Sequence, residues 1–281
     1  MEKWGDKPYH SLDYENKKRF GEKVYKISLA GGTTCPNRDG TLGTRGCCFC
    51  SGSGSGDFAA TKGSITEQIE EAIARVSRYK NAGHHFTAYF QSFTATYAPV
   101  ETLRAAWEEA MTHESVVTLS IATRPDCLGD DVLSLLADCC RKMPVTVELG
   151  LQTIHPGTIR YIRRGYPNSV YETAVKNLQN IGVNVVTHVI AGLPGETKEN
   201  FIDTVRYVAD IGSDGIKLQL LHVLKGTDLA LDYENKMFRT LTPDEYLDYI
   251  TEALSILPPD MVIHRVTGDG PKDLLIAPLW S

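Results

Sequence analysis

Short, almost unbroken apolar runs alternate along the chain with longer amphipathic stretches. "KVYKISLA" (23–30), "HFTAYFQ" (85–91), "SVVTLSIAT" (115–123), "VTVELGLQT" (145–153), "VNVVTHVIAGL" (183–193) and "GIKLQLLHVL" (215–224) read as six strands. Between them, 64–81, 99–112, 128–142, 168–182 and 197–212 carry apolar residues at helical spacing. Ser64 is placed to cap the first of these helices, with Glu67 three residues on, and Pro99 opens the second. Strands that are apolar throughout are those covered on both faces. Strand–helix–strand units with right-handed crossovers imply a parallel sheet.

Polar residues crowd the C-terminal ends of these strands. A cysteine-rich loop follows the first, Gln91 and Ser92 the second, Thr123 and Arg124 the third, and Gln152 and Thr153 the fourth. "GLPGET" follows the fifth, and His222 and Lys225 the sixth. One rim fed by six strands favours a barrel, or most of one, over a flat sheet. No GxGxxG follows the first strand, so a dinucleotide fold has no direct support. Residues 1–228 are read as the barrel with an N-terminal extension. Residues 229–281 hold one helix near 242–256 and an irregular remainder, expected to pack on the barrel as a lid rather than as a separate domain. The apolar end, "APLWS", leaves truncation open.

The net charge of −6 argues against a uniformly basic nucleic-acid surface. Two local basic clusters remain, "NKKRFGEKVYK" (16–26) and "RYIRRG" (160–165), which suit either solvated faces or phosphate contacts. No stretch approaches the ~18 apolar residues of a membrane helix. "MEKWGDKPYH" lacks an apolar signal region, so a cytoplasmic protein without membrane contact is expected.

Seven cysteines, an odd number in a reducing compartment, fit a disulfide framework poorly. Four of them lie in "CPNRDGTLGTRGCCFC" (35–50). Cys139 and Cys140 are adjacent in a helix and diverge by about 100°, which suits packing rather than a shared ligand. Cys48 points away from any centre that Cys47 and Cys50 share. Cys35, Cys47 and Cys50 then offer three thiolates, open to zinc or to an iron–sulfur cluster. In a cluster, one iron would lack a protein ligand, and Phe49 would shield it from water. "GSGSGDF" (52–58), taken alone, is a flexible loop.

Together, "FGEKVYKISLAGGTTCPNRDGTLGTRGCCFC", "GSGDFA", "AYFQSFTATYAP", "SIATRPDCL", "VELGLQT", "VIAGLPGET" and "HRVTGDGPKDLLIAPLW" resemble the radical S-adenosylmethionine (SAM) superfamily. Within it they are similar to the YhcC/YtqA-like family, related to the radical domain of Elongator-type tRNA-modifying enzymes. The resemblance implies an α/β fold, a partial (β/α)6 barrel. It also implies a [4Fe-4S] cluster on Cys35, Cys47 and Cys50, whose open iron binds SAM and cleaves it to a 5′-deoxyadenosyl radical. Gln91 and Ser92 would stand where the superfamily has a Gly-Gly-Glu turn for the methionine amino group, although the usual glutamate is absent. Thr123 and Arg124 would serve the ribose and carboxylate, and Glu148 and Gln152 the ribose or amino group. Ile190 would lie against the adenine, with Gly192 and Gly195 allowing close backbone approach. His188 and His222 are expected on the same rim, without a catalytic role; no substrate base is named.

The implied substrate is a tRNA wobble uridine carrying a carboxymethyl-type side chain. Arg160, Arg163 and Arg164, with Lys17, Lys18 and Arg19, would contact phosphates. An electron donor such as flavodoxin or ferredoxin is implied too. A small-molecule reaction, such as porphyrin or cofactor maturation, and a structural zinc or interaction protein are the alternatives.

Overall fold

The computed structural model describes residues 4–54, 56–59, 63–80, 82–268 and 270–281. Ser55, within the expected flexible loop, and Asn81, at the end of the first expected helix, lie outside the described residues.

Six strands form where expected: β1 (Tyr25–Leu29), β2 (Phe86–Phe90), β3 (Val116–Thr123), β4 (Val145–Gln152), β5 (Asn184–Ala191) and β6 (Gly215–Leu220). They pair in that order, all parallel, into a curled half-barrel. Helices α2 (Ile65–Tyr79), α3 (Val100–Thr112), α4 (Asp130–Cys140), α6 (Asn168–Asn180) and α7 (Lys198–Ile211) make the crossovers, and a short α5 (Pro156–Tyr161) precedes α6. Ser64 does cap α2: its hydroxyl accepts from the Glu67 amide at 3.2 Å, and Glu67 accepts from the Ser64 amide at 2.7 Å. Such a cap contributes about 1 kcal/mol.

The sheet has seven strands, not six. The segment read as irregular contains β8 (Val262–Arg265), which adds a parallel strand beside β6. The sixth apolar run breaks after Leu220. Its end, β7 (Val223–Leu224), leaves the sheet and pairs antiparallel with β9 (Leu275–Ala277). At the N-terminus, α1 (Leu12–Phe20) packs near β8, with Ile263 donating its amide to the His10 carbonyl at 2.7 Å.

The two faces of the strands differ more than their composition suggests. Ile27, Leu29, Leu119, Val147, Leu149 and Leu218, at alternate positions, are fully buried in the core shared with the helices. The intervening positions turn inward and are largely polar: Lys26, Tyr89, Ser120, Glu148, His188 and Lys217. Apolar content on both faces was therefore the wrong reading. The half-barrel has an oily outside and a hydrogen-bonded inside.

Candidate active site

The cysteine loop leaves β1 at the C-terminal end of the sheet. It is docked on the turn after α5, where Cys47 Sγ also lies 3.8 Å from the Arg163 carbonyl. Asn37 Nδ2 donates to the Arg163 carbonyl at 2.7 Å, Arg163 Nε to the Gly46 carbonyl at 2.7 Å, and the Cys48 amide to the Ile162 carbonyl at 3.3 Å. Arg38 straps the loop's far side, donating to the Ser51 carbonyl at 2.6 Å and the Cys50 carbonyl at 3.2 Å.

Within this frame the cysteines divide. Cys47 lies 3.4 Å from Asn37 Nδ2, and its pKa falls to about 6. A hydrogen bond with Cys50 is the main cause; burial opposes it, and Asn37, Arg124 and Arg163 add to it. Cys35 is an electrostatic neighbour of Arg124. Cys48 is 3% exposed among Ile162, Leu221 and Leu229, and burial pushes its thiol to about 12. A thiolate is the form that ligates metal, which sets Cys47 apart from Cys48, whose side chain is turned into the core; among the described residues the side chains are not drawn together into a metal-binding group.

The described residues of the loop after Cys50 pack against the turn after β2. A Cβ on Gly54 would fall 2.3 Å from the Phe93 ring, and one on Gly56 2.2 Å from Ser92 Oγ. Asp57 accepts from Ser51 and Ser53, each at 2.8 Å. The turn Gln91–Ser92–Phe93 is thus clasped by the cysteine loop, with Gln91 facing inward beside Ser28.

The remaining expected SAM contacts are not all brought together. Thr123 sits on the helix side of β3, its hydroxyl sharing a 2.5 Å hydrogen bond with Thr96, and so faces away from the mouth. Arg124 is at the mouth, but its guanidinium is gripped by Asp126 at 2.9 and 2.7 Å and stacked over Tyr166. Gln152, at φ 68°, folds its amide back over Gly150 and leaves a buried Oε1 without a partner among the described residues. Ile190 is buried in the small core beneath Cys48. Gly192 takes φ 85° and faces Leu241, whose Cγ would lie 3.0 Å from an added Cβ; Gly195 has open space there.

Below the mouth lies a polar layer with one residue from each of the first six strands. Glu148, 1% exposed, accepts from Tyr89 at 2.8 Å, Ser120 at 2.9 Å and His188 Nε2 at 2.7 Å, and from the ammonium groups of Lys26 and Lys217. Burial alone would raise the carboxyl, but the two lysines and His188 overcome it and hold it well below the usual range. His188 is driven down to about 4 by burial, with Lys217 assisting. Two expectations change here. Glu148 has its oxygens filled by five protein donors, because the inward alternation places it below the rim rather than on it. His188 lies in this layer, 3.2 Å from Gln219, whereas His222 sits outside it against Ser281 Oγ at 2.8 Å.

A sequence profile for the Radical SAM superfamily matches residues 20–208, and one for the Radical_SAM C-terminal domain matches 213–281. The chain belongs to the radical SAM superfamily. Members use a [4Fe-4S] cluster and SAM, which are therefore its cofactors. An uncharacterized Bacillus subtilis protein, YtqA, is 44% identical over 282 residues, covering 98% of this chain and 86% of its own length. Escherichia coli YhcC is 38% identical over 264 residues, covering 94% and 84%. A weaker likeness, 27% over 57% of this chain and 30% of the other, links it to a Methanocaldococcus jannaschii tRNA uridine(34) acetyltransferase. Among solved structures, the archaeal Methanocaldococcus infernus Elp3 shares the fold with a TM-score of 0.67 at 19% identity, over 90% of this chain and 58% of that one.

For a radical SAM protein, the basic clusters are placed differently than expected. Arg164 is 2% exposed and donates to the carbonyls of Leu151, Thr153 and Tyr166 and to Asn168 Oδ1. Arg163 holds the cysteine loop and pairs with Asp228 at 2.6 Å. Only Arg160 of the three is exposed. Lys17, Lys18 and Arg19 are on α1, where Arg19 borders a cavity of about 550 Å³ at the N-terminal ends of the strands. That is the opposite end of the half-barrel from the cysteines, so the two clusters do not form one phosphate-binding face.

Asn37, Tyr89, Ser120 and Lys217 went unnoticed in the sequence, and Lys26 was read only as the end of the basic stretch 16–26. The lysines carried a signal: each is a charge within an otherwise apolar strand. Asn37 carried none.

Proposed function

We propose that Cys35, Cys47 and Cys50 hold the [4Fe-4S] cluster and that the enzyme acts on a tRNA wobble uridine bearing a carboxymethyl-type side chain. The cluster assignment is carried by membership of the superfamily together with a loop at the C-terminal end of β1 that presents Cys47 beside Cys50 while Cys48 is buried in the core. When bound, the cluster and SAM supply a 5′-deoxyadenosyl radical for hydrogen abstraction. The chain's own residues prepare the site. Gln91, presented by the clasped turn, and Gln152 Oε1, without a partner among the described residues, offer hydrogen bonds to SAM, and Ile190 an apolar wall. Arg124 would release Asp126 to grip a carboxylate, since a guanidinium can form two parallel hydrogen bonds with either.

The tRNA reading is supported by the likeness to an enzyme named for uridine 34 of tRNA. Phosphate contact falls to Arg160 and to Arg45, whose side chain is 70% exposed on the cysteine loop. The electron donor is proposed to be a flavodoxin or ferredoxin. Incubating the reduced, cluster-loaded enzyme with SAM and bulk tRNA tests this. A mass change at modified uridine, accompanied by 5′-deoxyadenosine, is expected. Stimulation by a porphyrin or other small molecule, with tRNA nucleosides unchanged, would redirect the assignment to a small-molecule substrate.

A further inference from the structure

Among the described residues, the polar layer holds more basic than acidic side chains. Lys26 and Lys217 both point at Glu148. Arg265 stands beside Lys217 in the register of β6 and β8 and donates to Gln219 Oε1 at 2.6 Å. Gln219 continues to His188 at 3.2 Å, which joins Glu148. Among the described residues, three basic side chains therefore share this layer with one carboxylate. His188 and His264 are both held neutral by burial and by Lys26 or Lys217, so they add no charge near pH 7.

Arg265 is also incompletely used. Its Nε is buried without a partner among the described residues. Gly268 closes the guanidinium's other side, where an added Cβ would be 2.8 Å from Nη2. Toward the mouth, the next inward position on β3 is Ala122, a methyl group, and the one on β4 is Gly150, over which the Gln152 amide is folded. Excess buried charge is costly and is relieved either by losing a proton or by gaining a counterion. Lys217 shows the first response: burial is the main cause that brings it to about 7.

We infer that Lys217 and Arg265 form a receptor for a carboxylate on the substrate, placed in the half-barrel below the SAM site. The carboxylate acts as a counterion to Lys217 and Arg265, restores the proton on Lys217 and accepts from Arg265 Nε. This rests on the wobble-uridine reading only for the molecule that carries the carboxylate. Lys26 stays with Glu148 and Ser120 and is not part of the receptor; Lys217, which also meets Glu148 and Tyr89 Oη at 3.3 Å, is the lysine in register with Arg265.

The test is carbon-13 NMR of lysine-labelled, cluster-loaded enzyme, with the Lys217 resonance assigned by its loss in Lys217→Met. At equal ionic strength, sodium acetate should raise the Lys217 midpoint by about one pH unit over sodium chloride, a tenfold change in proton affinity. Acetamide should not. Arg265→Met should abolish most of the shift, and Arg265→Lys, which keeps the charge, should retain it. Acetate indistinguishable from chloride, or an acetate shift intact in a folded Arg265→Met, overturns the receptor. Inorganic phosphate acting where acetate does not overturns the carboxylate assignment. 5-Carboxymethyluridine acting at far lower concentration than acetate supports both readings. If it acts only as acetate does, the receptor stands and the uridine reading falls.

Discussion

Asn37 ties the cysteine loop to Arg163: its amide donates to the Arg163 carbonyl at 2.7 Å while standing 3.4 Å from the Cys47 sulfur. One side chain thus fixes the loop and lowers the thiol it presents. Asn37→Ala should leave a buried carbonyl unsatisfied and cost about 1–3 kcal/mol. It should also reduce iron and sulfide bound per chain. Chemical denaturation and iron analysis check both, with Arg160→Ala, an exposed change, expected within about 0.5 kcal/mol of wild type.

Arg164 and Arg160, four positions apart, should separate stability from tRNA binding. Arg164→Met strands several buried carbonyls and should cost on the order of 3 kcal/mol. Arg160→Ala should leave stability alone and lower the salt slope of tRNA binding by about one phosphate contact. Denaturation midpoints and salt-dependent binding measure the two effects.

How much of this was visible beforehand follows from which forces the sequence displays. Strand and helix positions, the Ser64 cap and the packing role of Cys48 all follow from local periodicity and spacing. β8 was missed because four residues, "VIHR", become a strand only through pairing with β6. Arg164 was misread because a side chain that satisfies distant carbonyls looks, in a string of letters, like any surface arginine. Glu148 was placed on the correct strand but at the wrong depth, which depends on how the sheet curls.

Stability should depend on pH through the polar layer. Lys217 is held near 7 when folded and has an ordinary value of 10.5 when unfolded. Between those values the unfolded chain binds more protons, so stability rises with pH from about 7 to about 10.5. His188, lowered to about 4 from 6.5, has the same sign in its own window. Glu148, depressed when folded, contributes stability above its unfolded value that is lost as pH falls through the folded one. Denaturant midpoints against pH should climb across the alkaline window in wild type and flatten there in Lys217→Met. A flat wild-type profile would contradict the assignment.

Gly56→Ala forces a methyl group onto Ser92 Oγ and should disturb the turn that presents Gln91. Overpacking of this kind costs roughly 1–3 kcal/mol. Weaker SAM binding with the cluster retained is expected. Ser92→Gly, which removes the opposing hydroxymethyl group, should recover part of that loss in the double variant. Equilibrium dialysis of SAM reads the effect.

The most direct measurement is 5′-deoxyadenosine formation by the anaerobically reconstituted, reduced enzyme with SAM and bulk tRNA, comparing wild type with single alanine variants of the four loop cysteines. Product from wild type and Cys48→Ala, with none from Cys35→Ala, Cys47→Ala or Cys50→Ala, is the predicted result. Product surviving in any of those three, or failure of the wild type to assemble a [4Fe-4S] cluster, would contradict the account.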